Sequence, residues 1–179
     1  VDLRCAVYWD GPSPPSGDDQ IDWYENNSTA AVPPPPLTDA NCTTAVNLWV
    51  SDEANATATY GHISAWDVSS VTNMTDAFKD KASFNEDIRP WNVGNVTNMR
   101  QMFNGAKSCN QDVGDWNTSS VTDMNVLFRN AWSFDQDVGD WNTSAVTSMI
   151  DLFYGAASFN QDIGDWNTSA VTNMRYLFL

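Results

Sequence analysis

FNQDIGDWNTSAVTNMRYLF, residues 159–178, decides the fold. It is the cleanest copy of a unit that recurs upstream every 25 residues. Trp66, Trp91, Trp116, Trp141 and Trp166 keep that interval, as do Val71, Val96, Val121, Val146 and Val171. Met74, Met99, Met124, Met149 and Met174 follow the same beat, and so do Phe78, Phe103, Phe128, Phe153 and Phe178. A fixed repeat of this length marks an array in which each unit buries its apolar face against its neighbours.

Within the unit an apolar residue stands three before the tryptophan (Ile63, Ile88, Val113, Val138, Ile163) and a Val or Thr stands two after it. That spacing predicts a short strand with alternate residues pointing inward. The following S-x-V-T-x-M-x-x-x-F places Val, Met and Phe at helical intervals. Gly105, Asn130 and Gly155 then stand where a helix C-terminus takes a left-handed residue. The expected fold class is α/β: a leucine-rich-repeat-like solenoid of 25-residue coils, one short parallel strand plus one short helix per coil. Its stacked aromatic columns are core, and Cys109, in the slot of Phe84, Phe134 and Phe159, is a free, buried, structural thiol.

Outward from the repeats, three regions are expected: a Pro-rich arm at 1–37, a capping helix and loop at 38–62, and a five-coil array at 63–179 with its last coil incomplete. In TDANCTTAVNLWV, Thr38 is the expected N-cap, and Cys42, Ala45, Val46 and Trp49 form one apolar face. Residues 51–62 read as a connecting loop, and His62 as a surface or packing residue. Cys42 is placed to bridge to Cys5; two separate buried thiols are the alternative. The arm is a tail or linker in polyproline II, and Pro33, Pro34, Pro35 and Pro36 are candidates for hydroxylation and O-linked sugar, as in plant and algal wall glycoproteins. The chain opens at Val1 without a methionine, which suggests a processed or fragmentary N-terminus. Leu179 falls in mid-coil, so either a longer array or an end that docks on a partner is expected.

The pattern resembles the BspA-like surface proteins, the bacterial surface protein 26-residue repeat family of the leucine-rich-repeat superfamily. The resemblance rests on SFNQDIGDWNTSAVTNMRYLF, on SFNEDIRPWNVGNVTNMRQMF at 83–103, and on the lead-in LTDANCTTAVNLWVSDEANATATYGHISAWDVSSVTNM. It covers about 37–179; the departures are the period of 25, Cys109, and Arg89-Pro90 where later units have Gly-Asp. It implies a secreted or surface-attached protein serving adhesion and recognition, in bacteria and microalgae, without a general enzymatic activity.

Charge and composition narrow the function. With 23 acidic and 8 basic residues the net charge is −15, which argues against nucleic acid and anionic membrane as partners. No apolar run is long enough for a membrane span. There is one histidine and no nucleophile–base set, phosphate loop or zinc-type spacing, so an enzyme is not expected, and neither is a cofactor. Asp112, Asp137 and Asp162 stack in phase and are weak calcium candidates; the plainer reading has one aspartate column capping N–H groups of the neighbouring coil and the Asp115, Asp140 and Asp165 column solvated. Of the nine N-x-S/T sequons, Asn26, Asn27, Asn41 and Asn55 are the glycosylation candidates. Asn117, Asn142 and Asn167 would crowd at about 4.8 Å and are expected to form an unmodified amide ladder. The expected function is an extracellular structural or assembly glycoprotein, a subunit of a surface layer, filament or appendage, with itself or other surface proteins as partners. The alternative is an adhesion module that binds protein or glycan on the face formed by Asp67, Asn92, Asn117, Asn142 and Asn167.

Overall fold

The structure, a computed structural model, describes residues 34–178. Cys5, Asn26, Asn27 and Pro33 lie outside the described residues. The expected strand-and-helix solenoid does not form. Among the described residues there is no strand, only single-residue parallel bridges such as Asn73–Asn98–Asp123–Ser148–Asn173. The two α-helices, α1 (Cys42–Ser51) and α2 (Glu53–Tyr60), both precede the repeats. The repeats are built of chained turns.

Backbone hydrogen bonding shows why. In the first unit Ala77, Lys79 and Lys81 donate to carbonyls three residues back, at 3.2, 3.1 and 3.1 Å. The residues between them, Met74, Asp76, Phe78 and Asp80, donate instead to Asn98, Arg100, Met102 and Asn104 of the next unit, at 2.9, 3.1, 2.8 and 2.7 Å. A helix directs every N–H four residues back along its own chain; here alternate N–H groups leave for the neighbour. This ribbon needs a left-handed residue twice per unit, at the third position of the first and third turns, as type II turns require. Asp76, Gln101, Val126, Asp151 and Tyr176 fill one column, with φ between 53° and 64°. Asp80, Asn130, Gly105 and Gly155 fill the other, with φ of 58°, 56°, 74° and 69°. The second column was legible as a helix stop; the first has no glycine to announce it, so a helix was the natural expectation.

The expected strand fails for a related reason. Trp91 and Val96 donate to Ile88 and Val93, so two turns bracket the W-x-V segment. Inward–outward alternation survives: Trp91 and Val93 are buried while Asn92 is exposed. Units are joined there by side chains, as where Thr118 Oγ1 donates to the Asn142 carbonyl at 3.2 Å.

Stacking brings like residues into register. The rings of Phe78, Phe103, Phe128, Phe153 and Phe178 follow one another at 5.3, 5.5, 5.7 and 5.6 Å, within 8° of parallel. Burial of each inner ring contributes about 1.5–3 kcal/mol. The tryptophan indoles reach back a unit: Trp91, Trp141 and Trp166 Nε1 each donate to the carbonyls of Ile63, Val113 and Val138 at 2.9 Å, while Trp116 Nε1 has no partner. Burial fades in the last unit, where Met174 and Phe178 are 38% and 52% exposed against 0% and 2% for Met149 and Phe153.

At the other end, Cys42, Ala45, Val46 and Trp49 are the buried face of α1. The helix starts three residues later than expected, with Asn41 and not Thr38 at its N-cap and no side-chain cap bond. The expected loop at 51–62 holds α2, capped by the Asp52 carboxylate, which accepts from Asn55 N at 3.0 Å. His62 packs edge-on against Trp49, ring centroids 5.0 Å apart.

Val126 is a β-branched residue at φ 64°, a conformation that costs an L-residue about 1–2 kcal/mol. Val126→Asn should therefore raise stability by about 0.5–1 kcal/mol, since asparagine tolerates this region. Urea unfolding measures it, and a loss of stability would mean that the packing of Val126 outweighs its backbone strain.

Candidate functional site

The polar columns singled out from the sequence are placed at chain reversals. Asp67, Asn92, Asn117, Asn142 and Asn167 are all exposed. Each turns its Oδ1 back onto the N–H two residues on, at 2.9, 3.2, 3.2, 3.1 and 3.0 Å. In the third and fourth units the serine hydroxyl adds a second donation, Ser119 to Asn117 and Ser144 to Asn142, both at 2.7 Å. These are Asx turns, in which a side chain stands in for a backbone carbonyl. The expected asparagine-to-asparagine ladder is replaced by turns closed within each unit, and the N-T-S sequence has a conformational cause there.

Asp112, Asp137 and Asp162 do the same. They accept from Gly114, Gly139 and Gly164 N at 3.3, 2.9 and 2.8 Å, so this column caps its own unit and not the neighbouring one. A side chain at Gly114 would meet the Asp137 carbonyl at 2.5 Å, which explains the glycine where Arg89 stands in an earlier unit. Asp115, Asp140 and Asp165 are exposed. Asp112, Gly114, Asp115, Asp137 and Asp140 line a shallow depression. Among the described residues no three His, Cys, Asp or Glu side chains are grouped to hold a metal ion.

The column that caps the neighbouring unit is a different one. Asn85 and Asn110 Oδ1 accept Asn110 and Asp135 N at 2.8 and 2.9 Å, and Asp135 accepts Asn160 N at 2.9 Å. Gln111, Gln136 and Gln161 amides donate to the same acceptors at 2.9, 2.9 and 2.8 Å. Gln161 and the Asn160 N–H hold the Asp135 carboxyl below its ordinary pKa. The Asn-Gln or Asp-Gln pair before Asp112, Asp137 and Asp162 is thus a coil-to-coil clamp.

The cysteines and sequons fall as follows. Cys42 and Cys109 are buried free thiols, each pushed up to about 11 by burial, and no disulfide joins described residues. Cys5, the expected partner of Cys42, lies outside them. Asn41 accepts from Thr38 N at 2.7 Å and donates to Pro36 O at 3.2 Å, whereas Asn55 is exposed on α2. Pro34, Pro35 and Pro36 are exposed. No helix among the described residues is long and apolar enough to cross a membrane.

A threonine column and its terminator were not foreseen. Thr97, Thr122, Thr147 and Thr172 each donate both N–H and Oγ1 to the threonine carbonyl one unit back, at 2.8–2.9 and 3.1–3.2 Å. Thr72 has no unit before it. The Asp39 carboxylate takes that place, accepting Thr72 N at 2.7 Å, Thr72 Oγ1 at 2.6 Å and Asn73 N at 2.9 Å. Leu37 N donates to Asp67 O at 3.3 Å and Thr38 bridges Ser70, so the lead-in lies along the first unit as a partial unit. The Thr72 hydroxyl, against a smaller opposing effect of burial, holds Asp39 below its ordinary value of 3.8, with the two N–H groups adding to the shift. A depressed folded pKa stabilises above the ordinary value and is lost as pH falls through the depressed one. Asp39→Ala should cost about 1–2 kcal/mol at pH 7, and the gap from wild type should close on acidification below 3.8. Paired urea titrations across that range test it; a gap independent of pH would mean that the carboxylate charge does not matter.

No curated protein and no solved structure matches the chain. The family described as "Mycoplasma protein of unknown function, DUF285" matches residues 53–124 and 107–179. Together these spans run from α2 through all of the repeats, and the chain therefore belongs to the DUF285 family.

Proposed function

We propose that this is an extracellular structural and assembly protein, a non-enzymatic glycoprotein subunit of a cell-surface layer, filament or appendage, related to the BspA-like surface proteins whose motif its repeats resemble. One observation carries the reading. Four of the polar columns that recur in the repeats are committed to the chain's own backbone: Asx turns at Asn117 and Asp112, the clamp at Asn110, the ladder at Thr122. A polar repertoire used this way builds a stiff, regular rod with like groups at a constant interval. It leaves few groups for reaction and suits a part that is laid down in numbers. Asn55, exposed on α2, and the exposed prolines before Leu37 are the sugar attachment points within the described residues.

A second reading, an adhesion module, draws on the Asp67, Asn92, Asn117, Asn142 and Asn167 column, which is exposed along the whole array. Electron microscopy of the protein as extracted from its native source separates the two. Regular filaments or sheets that contain the chain are the expected outcome; dispersed single particles would overturn the assembly reading in favour of the adhesion module.

A further inference from the structure

The turn ribbon differs from the rest of the unit in what it displays. W-N-x-S-x-V-T is nearly constant from unit to unit, whereas the residues around the Met and Phe of the ribbon vary: MTDAFKDKA, MRQMFNGAK, MNVLFRNAW and MIDLFYGAA. Six of the chain's eight Lys and Arg fall in these ribbon segments and in MRYLF at 174–178: Lys79, Lys81, Arg100, Lys107, Arg129 and Arg175. Three carboxylates accompany them, and two are paired with ribbon cations: Asp76 with Lys79 at 3.4 Å and Asp151 with Arg129 at 2.9 Å. In a chain of net charge −15 this ribbon is a basic stripe.

It is aromatic as well. The structure's three cation–π pairs among the described residues all lie on it: Lys107 over Trp132 at 4.2 Å, Arg129 over Tyr154 at 4.8 Å, and Arg175 over Tyr176 at 4.5 Å. Trp132 is 51% exposed although tryptophan elsewhere in the repeats is core. Exposed aromatics beside arginine and lysine are the composition of interface anchors. The opposite charge is displayed by the other arm of the unit, where Asp115, Asp140 and Asp165 stand exposed at the same one-unit interval and the depression between Asp112 and Asp140 is lined by carboxylates. Two surfaces of one chain therefore carry opposite charge with the same repeat distance.

We propose that the ribbon face, centred on Arg100, Lys107, Trp132 and Arg175, docks on the aspartate columns of a second copy of this chain, side by side. This rests on the assembly reading and names the contact for it. The two surfaces differ, so the contact is heterologous and leaves each copy with one free surface of each kind; it propagates into a sheet or filament. Long-range repulsion between copies of charge −15 fades beyond about 8 Å at physiological salt, while paired charges at contact keep their attraction.

Sedimentation of the full chain over a range of concentration and salt tests this. Wild type should self-associate, less so at high salt. Arg100→Glu/Lys107→Glu/Arg175→Glu should weaken association at least about 100-fold, with an unchanged far-ultraviolet spectrum and melting curve. Asp115→Lys/Asp140→Lys/Asp165→Lys should do the same alone. Mixing the two variants should restore association, because each reversed surface meets its reversed partner; that rescue excludes misfolding as the cause. If wild type assembles and the triple glutamate variant assembles equally well, the ribbon contact is wrong while the assembly reading stands. If wild type stays monomeric at every concentration, both fail. If wild type stays monomeric but retains polygalacturonate through the ribbon cations, the occupant is an anionic polysaccharide and the second-copy proposal is overturned.

Discussion

Alternate backbone N–H groups of each ribbon find their acceptors in the next unit, and this division of hydrogen bonds governs the structure. Asp76 and Phe78 look forward to Arg100 and Met102, while Ala77 and Lys79 look back to Met74 and Asp76. A unit by itself would leave half of the ribbon's donors without protein partners. Unpaired backbone groups are costly once removed from water, so the unit is stable as a neighbour of other units. The phenylalanine column fits that requirement: the ring spacings of 5.3–5.7 Å are close to the separation that backbone hydrogen bonds impose. Polar and apolar packing agree on one rise per unit.

A stack held together in this way has to be started. Asp39 supplies carboxylate oxygens where the threonine column lacks a preceding carbonyl, and α1 covers the first apolar layer with Cys42, Ala45, Val46 and Trp49. The lead-in thus imitates a unit in both its chemistries without repeating its sequence. The Asx columns act along the rod. They let the chain reverse at fixed points by substituting a side-chain oxygen for a carbonyl, which explains why Asp and Asn, and not other polar residues, recur at positions such as Asp112 and Asn117. Charge then separates between the arms of the unit, aspartate on one and the Arg100–Lys107–Trp132 stripe on the other. That separation is the property on which the proposed lateral contact rests.

Much of this organisation was open to reading from the repeat. The period, the buried columns and the inner face of α1 follow from spacing, because burial selects apolar residues at every recurrence. Cys109 in an aromatic slot is buried at 1% exposure, as its position in the column implied. The secondary structure was not open in the same way. Val, Met and Phe at helical intervals also fit a chain of type II turns, and the two differ in where alternate N–H groups point, a property with no residue signature of its own. Val126 at φ 64° shows how strongly stacking overrides local preference. The aspartate columns could be located by phase, but their acceptor role could go to the same unit or the next, and the hydrogen bonds from Gly114, Gly139 and Gly164 N to Asp112, Asp137 and Asp162 settle it.

What the amino-acid sequence determined by itself is the interval, the identity of the core columns and the distribution of charge, since each depends on which residue stands at which step of the repeat. Tertiary structure decided the path of the backbone between those steps: turns in place of strand and helix, and Asp39 in place of a missing carbonyl. The physical reason is that half of the ribbon's hydrogen bonds join residues 24 apart, as from Met74 N to Asn98 O, and such a bond exists only once two units are packed together.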